Sequence, residues 1–219
     1  MLAPGEHDTP PAFARALAAM TALRPRPEVV VSETPAPTRL APYAVALAAE
    51  IVVDEEDLAT GRLVLLHDPA GQDAWAGTSR FVAYVRAAVE QDLADDQLLC
   101  EVAWSWLTES LASRGAPHTA GSGTVTRTVS QGFGGLSGDP ARSEVEIRAS
   151  WTPTGDSPGA SDAGAHALAW TDLLATAAGL APVVLALVGQ SPTPTAAAQG
   201  SATAKPGTDP RRPRPNRGR

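Results

Sequence analysis

The chain has 219 residues, 43% of them hydrophobic, and a formal net charge of −7. This length suits one domain with a sizeable core. The one cysteine, Cys100, excludes an internal disulfide framework and a thiolate metal cluster. The first residues lack the basic and apolar regions of a secretory signal, so we predict a cytoplasmic protein.

Charge is divided unevenly along the chain. Residues 205–219 hold six basic residues and one acidic residue, a balance of +5, whereas residues 1–204 carry −12. An acidic body repels nucleic acid, while a basic tail attracts it. Residues 189–219 are rich in Ser, Thr, Pro and Ala and then in Arg and Pro, a composition typical of disorder. We therefore predict a globular domain over residues 1–188 and a disordered tail over 189–219.

The first ninety residues predict one helix followed by a run of strands. Apolar side chains recur at helical spacing over residues 10–23, with Asp8 or Thr9 as the cap. Period-two or continuously apolar patterns predict four strands, over residues 28–33, 43–53, 62–66 and 79–88. Because the links between these strands are short, they favour an antiparallel meander.

The second half predicts a helix, a strand pair and a further helix. Residues 98–113 carry an apolar stripe formed by Leu99, Val102, Ala103, Trp106, Leu107 and Ser110. Residues 121–130 and 144–151 alternate as strands and should pair. Asp162 is expected to cap an Ala-rich helix that runs to about Ala178. Asp172 and a Gly-Leu-Ala-Pro break argue that this last segment is a buried helix and not a membrane span.

These elements together predict an α+β fold in a single domain. Its core is a mainly antiparallel sheet of about six strands, packed with about three helices.

Several segments resemble one actinobacterial family, known only as a domain of unknown function and numbered three thousand in that series. The resemblance is carried by residues 26–29, 33–37, 39–43, 59–71, 103–107, 122–126 and 148–153. It implies an intracellular actinobacterial protein and supplies no activity, substrate or catalytic residue.

The most informative stretch is residues 58–77, and the segment from His67 to Arg80 is named here the 67–80 loop. It follows a buried-looking strand and contains Asp68, Asp73 and Trp75 among turn-forming residues. Asp68 before Pro69 is expected to cap a turn through its own side chain. His67 is expected to be a hydrogen-bonded strand-end histidine, although an unperturbed imidazole would also suit a general base.

A second candidate region is the 33–43 connector, which a Pro-Ala-Pro segment stiffens. Glu33 and Arg39 flank that segment, where a structural ion pair and an exposed recognition loop explain them equally well. Short Pro-rich bends with polar flanks are a modest binding signal.

Motifs that imply a cofactor or a metal are not found in the sequence. The glycines of residues 121–124 and 132–135 flank strands, so they match neither the phosphate-loop nor the dinucleotide fingerprint. The histidines and Cys100 lack zinc spacing, and Asp54-Glu55-Glu56-Asp57 is read as a solvated turn. We predict no cofactor and no metal.

Three functions remain open from the sequence. The leading hypothesis is a non-enzymatic protein-binding or adaptor module that uses the 67–80 loop and the 33–43 connector on an unidentified protein partner. The second is an enzyme or small-molecule-binding protein with His67 or Asp68 as acid or base beside Trp75 and Arg80. The third is a nucleic-acid accessory protein, binding weakly through the tail arginines, which are Arg211, Arg212, Arg214, Arg217 and Arg219.

Overall fold

The computed structural model describes residues 9–53, 56–138, 140–154 and 163–181. The strands in these residues are β1 (Val29–Thr34), β2 (Tyr43–Val53), β3 (Glu56–Gln72), β4 (Gly77–Val89), β5 (His118–Ser130) and β6 (Arg142–Pro153). The helices are α1 (Pro11–Thr21), α2 (Gln91–Asp95), α3 (Leu99–Ser113) and α4 (Ala163–Ala177), with 3-10 turns at Asp73–Trp75 and Gly134–Leu136. All strand pairs are antiparallel, in the order β1-β2-β3-β4-β6-β5. The predicted α+β fold is confirmed.

One face of the sheet is apolar and carries the longer helices. Successive strand residues point to opposite faces, so the buried side chains come from alternate positions such as Leu63, Phe81 and Ile147. Helix α4 crosses the middle of this face and contacts β2, β3, β4 and β6, and it also contacts α1 and α3. Burying this face supplies the main favourable term in folding.

Two specific contacts fix the position of α4. A Cβ atom on Gly61 of β3 would lie only 3.0 Å from Trp170 Cζ2, so the glycine allows the indole to approach the strand closely. Arg114, just after α3, donates to both carboxylate oxygens of Asp172 at 2.5 and 2.8 Å. This bidentate pair joins the C-terminal end of α3 to α4.

The opposite face of the sheet, here called the helix-free face, has no helix packed on it within the described residues. It carries the even-numbered side chains of β3, β4 and β6. Arg62, Tyr84 and Arg148 are among them, together with Val82, which is 38% exposed. Arg148 lies over the ring of Tyr84, with 5.7 Å between the guanidinium carbon and the ring centroid.

Several elements differ from their prediction. Strand β3 spans 17 residues where only 62–66 was predicted, because both of its polar ends also pair with neighbours. Helix α1 has Pro10 at its N-cap and no side-chain cap bond. The predicted α3 stripe is buried at Leu99, Ala103, Leu107 and Ser110, but Val102 is 42% exposed. The short helix α2 was not predicted.

The strand pairing and most boundaries are as predicted. The 121–130 and 144–151 segments pair as β5 and β6, and the first four strands form a meander. Asp54, Glu55 and the predicted Asp162 cap lie outside the described residues, as do the 188/189 boundary and the whole tail.

The first prediction concerns Gly123 of β5, over which Trp104 of α3 lies. A Cβ atom here would meet Arg148 O at 2.2 Å and Trp104 Cζ3 at 2.6 Å, and the first of these is backbone that cannot move aside. We expect Gly123→Ala to lower the free energy of unfolding by about 1–3 kcal/mol, measured by urea denaturation. Gly135→Ala is the control, because no atom lies within 4 Å of the added Cβ. Equal stability of the two variants would contradict this packing.

Candidate functional site

Two of the residues singled out from the sequence, His67 and Arg80, lie at the same end of the sheet but on opposite faces. Tyr43, where the 33–43 connector enters β2, pairs with His67, and His67 pairs with Ser79 of β4. Arg80 follows Ser79 and therefore points to the other face. The two candidate segments are thus neighbours in space.

His67 lies on the helix side and is held by packing and hydrogen bonding. It is 4% exposed, its Nδ1 lies 2.9 Å from Ser79 Oγ, and its ring stacks on Phe13 of α1 at 5.9 Å between centroids. Burial lowers the pKa of the imidazole, against a smaller opposite effect of the Asp68 charge. This is the hydrogen-bonded strand-end histidine that the sequence predicted.

Asp68 caps the turn that follows. Its Oδ1 accepts the Ala70 N–H at 3.0 Å and its Oδ2 accepts from Gln72 Nε2 at 3.2 Å. The register of β3 and β4 is interrupted between His67 and Gln72, where this turn forms an irregular bend. The predicted turn-capping role is confirmed by these contacts.

Arg80 lies on the helix-free face and is 8% exposed. Its Nη1 donates to Ala120 O at 2.9 Å and Thr152 Oγ1 at 3.0 Å. Its Nη2 donates to Ser122 Oγ at 3.2 Å and to Ser150 Oγ at 2.7 Å, with Ser150 O also at 3.2 Å. Burial lowers the pKa of this guanidinium.

This arrangement separates two residues that the enzyme hypothesis placed together. His67 faces α1 and Arg80 faces the hydroxyls of β5 and β6, with the thickness of the sheet between them. They cannot act on one substrate atom from these positions, because acid–base catalysis needs groups within hydrogen-bond reach of the reacting atom.

Trp75 and the connector meet on the helix-free face. A small apolar cluster forms there from buried Ala46, Val64 and Leu66, and the partly buried residues packed against it are Ala36, Ala41, Ala44 and Trp75. Arg62 Nη2 donates to Pro35 O at 2.5 Å, which ties the start of the connector to β3. Thr152 Oγ1 donates to the carbonyl of Trp75. The two candidate segments therefore share one packing site.

A groove of about 420 Å³ runs between α1 and the start of the connector. Its lining is mostly apolar, with two polar residues, and consists of Phe13, Leu17, Glu33, Thr34, Pro35, Ala36, Ala44 and Val45. Phe13 separates this groove from His67, because its ring stacks on the imidazole.

The remaining candidates are exposed side chains. Glu33 and Arg39 are both exposed and form no ion pair with each other. Of the two explanations left open by the sequence, the exposed loop fits this placement. Asp73 is exposed at the start of the 3-10 turn that Trp75 ends.

His166 of α4 was not singled out as a site residue, yet it is fully buried. Its Nδ1 accepts the Trp151 indole N–H at 3.1 Å, and its ring lies 4.9 Å from that of Phe81. Its Nε2 is buried without a hydrogen-bond partner in the described part of the chain. Burial lowers the pKa of His166 to about 4, with a smaller contribution from His118. The sequence shows only a single histidine in an Ala-rich helix, a pattern that does not indicate a buried, hydrogen-bonded imidazole.

The second prediction concerns pH. His166 is neutral when folded and, with an ordinary pKa of 6.5 in the unfolded chain, binds its proton there first. The contribution of neutral His166 to the free energy of unfolding is therefore fully present above the unfolded pKa. It is lost as the pH falls from about 6.5 toward about 4. We expect His166 to account for a loss of about 2 kcal/mol in the free energy of unfolding between pH 7 and pH 5.

Urea denaturation of wild type and of His166→Gln at both pH values measures this loss. The lowered pKa of His67 acts in the same direction in both proteins, so the difference between their pH slopes isolates His166. Identical slopes would contradict the assignment.

The described residues contain no cluster of three or more His, Cys, Asp or Glu side chains placed to hold a metal ion. Within the same residues, none of the helices has the length and apolar character needed to cross a bilayer. The tail arginines from Arg211 to Arg219 lie outside the described ranges.

Comparison with known proteins gives one result. A family model described as "Protein of unknown function (DUF3000)" matches residues 9–186. A search of curated proteins and a search of solved structures each find no match.

Proposed function

This chain belongs to the family of proteins of unknown function DUF3000, and from its own geometry we propose that it is a protein-binding module. The proposed recognition surface, here called the connector surface, comprises the 33–43 connector, Trp75 and Val82 on the helix-free face. The observation that supports the proposal is the apolar cluster of Ala46, Val64 and Leu66, on which the connector and Trp75 both pack.

The connector surface presents apolar side chains to solvent. Leu40 is 59% exposed on the connector, Trp75 is half-buried on the cluster that Ala41 also covers, and Val82 is 38% exposed next to its strand partner Val64. A lone exposed leucine is common on protein surfaces, but adjoining apolar groups with a tryptophan and a polar rim are typical of interfaces. Arg39 and Glu33 supply polar groups at its rim.

The connector is also held in place before any partner arrives. The Arg62 bond to Pro35 and the packing of Ala36 and Ala41 on the cluster fix both of its halves. Its prolines further restrict the backbone. A surface ordered in advance loses less conformational entropy on binding, which favours affinity.

The groove beside α1 suits a partner side chain better than a small metabolite. Its volume of about 420 Å³ falls in the range of ligand pockets. Small-molecule sites also need several converging polar groups, however, and here only Glu33 and Thr34 carry polar side chains. We propose that it receives an apolar side chain of the protein that covers the connector.

The third prediction tests the connector surface. We expect Leu40→Asp in the full-length chain to weaken capture of a partner at least about tenfold, because a carboxylate would be desolvated at the centre of the interface. Leu136→Asp is the matched control, because Leu136 is 63% exposed in a turn between β5 and β6. Quantitative affinity capture from a cell lysate of the source organism, followed by mass spectrometry, measures the effect.

A photo-crosslinking amino acid at position 40 and at position 136 provides an independent readout. The expected result is one discrete protein adduct from position 40 that position 136 does not give. Equal capture by wild type and both aspartate variants, or no discrete adduct from position 40, would overturn the proposal. Material lost on nuclease treatment would instead favour nucleic-acid binding through the tail.

A further inference from the structure

A buried positive charge without a negative partner lies on the helix-free face. Arg80 is 8% exposed, and its five hydrogen-bond acceptors are all neutral carbonyl or hydroxyl oxygens. No carboxylate of the described residues forms an ion pair with it. Because an arginine is rarely buried without an anion, this guanidinium retains an uncompensated charge close to the surface.

We propose that an oxyanion of the phosphate class binds at the surface over Arg80, held by the hydroxyl groups of Ser122 and Ser150. These three residues are here called the Arg80 cluster. The site is separate from the connector and does not depend on the proposed protein-binding function.

The hydroxyl groups of Ser122 and Ser150 have at least one proton free to bind an anion. Ser122 Oγ and Ser150 Oγ both accept hydrogen bonds from Arg80 Nη2, so neither can donate its proton toward the guanidinium. The two oxygens lie 3.3 Å apart, so one hydroxyl donates to the other at most. At least one proton then remains to be donated outward. Thr152 cannot serve in this way, because its hydroxyl donates to Trp75 O.

A bulge in the backbone of β5 shapes the surroundings of Arg80. The register of β5 against β6 shifts between Thr119 and Ser122, and Ala120 within this bulge has a φ of +50°. A left-handed alanine costs roughly 1–2 kcal/mol, and such outliers cluster at functional sites. Here the bulge turns the Ala120 carbonyl onto Arg80 Nη1 and leaves Ser122 exposed.

The anion must supply several acceptor oxygens as well as charge. Arg148 stands two residues before Ser150 on the same face of β6, but its Nε already pairs with Glu146 Oε1 at 2.8 Å, so Arg80 is the charge left to be balanced. A phosphate group carries about −1.5 to −2 charges and several acceptor oxygens. Separate phosphate oxygens can therefore accept from Ser122 and from Ser150 while the charge balances Arg80.

The fourth prediction is that inorganic phosphate binds the full-length protein at this cluster. Titration with phosphate, with chloride reduced to keep ionic strength constant, should shift the amide NMR signals of Ser122, Gly123 and Ser150 saturably. We expect a Kd on the order of 1 mM for a small surface site. Ser122→Ala with Ser150→Ala should abolish the shifts, and Thr124→Ala, next along the same face of β5, should retain them.

Ser122→Asp tests the uncompensated charge directly. The new carboxylate takes the position proposed for the anion, so we expect a higher Tm than wild type without phosphate and no further rise when phosphate is added. Wild type should gain Tm with phosphate. A lower Tm for Ser122→Asp, or phosphate shifts that persist in the double alanine variant or do not saturate, would overturn the proposal.

Binding measurements with two further ligands identify the source of the phosphate group and test the class of anion. A phosphoserine peptide that binds more tightly than inorganic phosphate would assign the site to a phosphorylated protein, and equal or weaker binding would assign it to the free anion. Acetate tests the anion class, and acetate binding as tight as that of phosphate would overturn the assignment to phosphate.

Discussion

The packing of α4 on the centre of the sheet is the interaction on which the rest of the structure depends. Trp170 and Leu174 of this helix press against Gly61, and His166 lies against Phe81 and bonds to Trp151. Helices α1 and α3 contribute to the same core and both contact α4. Because a domain needs at least two layers to bury an apolar sheet face, the helical layer centred on α4 stabilises the single sheet.

A sheet covered on one side is free to use its other side for recognition. On the helix side the side chains are buried in the core, and His67 too is stacked and hydrogen-bonded there. The helix-free face instead carries charged and hydroxyl side chains, and the 33–43 connector and Trp75 cover an apolar cluster on it. Both proposals concern this face for that reason, although they rest on different contacts.

Arg80 is the main hydrogen-bonding residue at this end of the helix-free face. Its bonds to Ala120, Ser122, Ser150 and Thr152 hold three strands together at the end where the connector lies. Thr152 extends this hydrogen-bond network to Trp75, because its hydroxyl donates to the Trp75 carbonyl. The guanidinium is thus well hydrogen-bonded yet electrically unbalanced, and hydrogen bonds from neutral oxygens do not cancel a full charge.

Local sequence patterns are sufficient to predict the fold class, the positions of most strands and helices, and the turn at Asp68. These features follow from local rules, namely period-two and helical spacing, turn chemistry and short links. These patterns missed the full length of β3, because polar strand ends have no hydrophobic pattern and are paired only by their neighbours. The tertiary structure alone decided that His67 and Arg80 face opposite sides, and that Ser122, Ser150 and Thr152 surround Arg80. Those contacts join strands 40 to 72 residues apart, whose register no local pattern specifies.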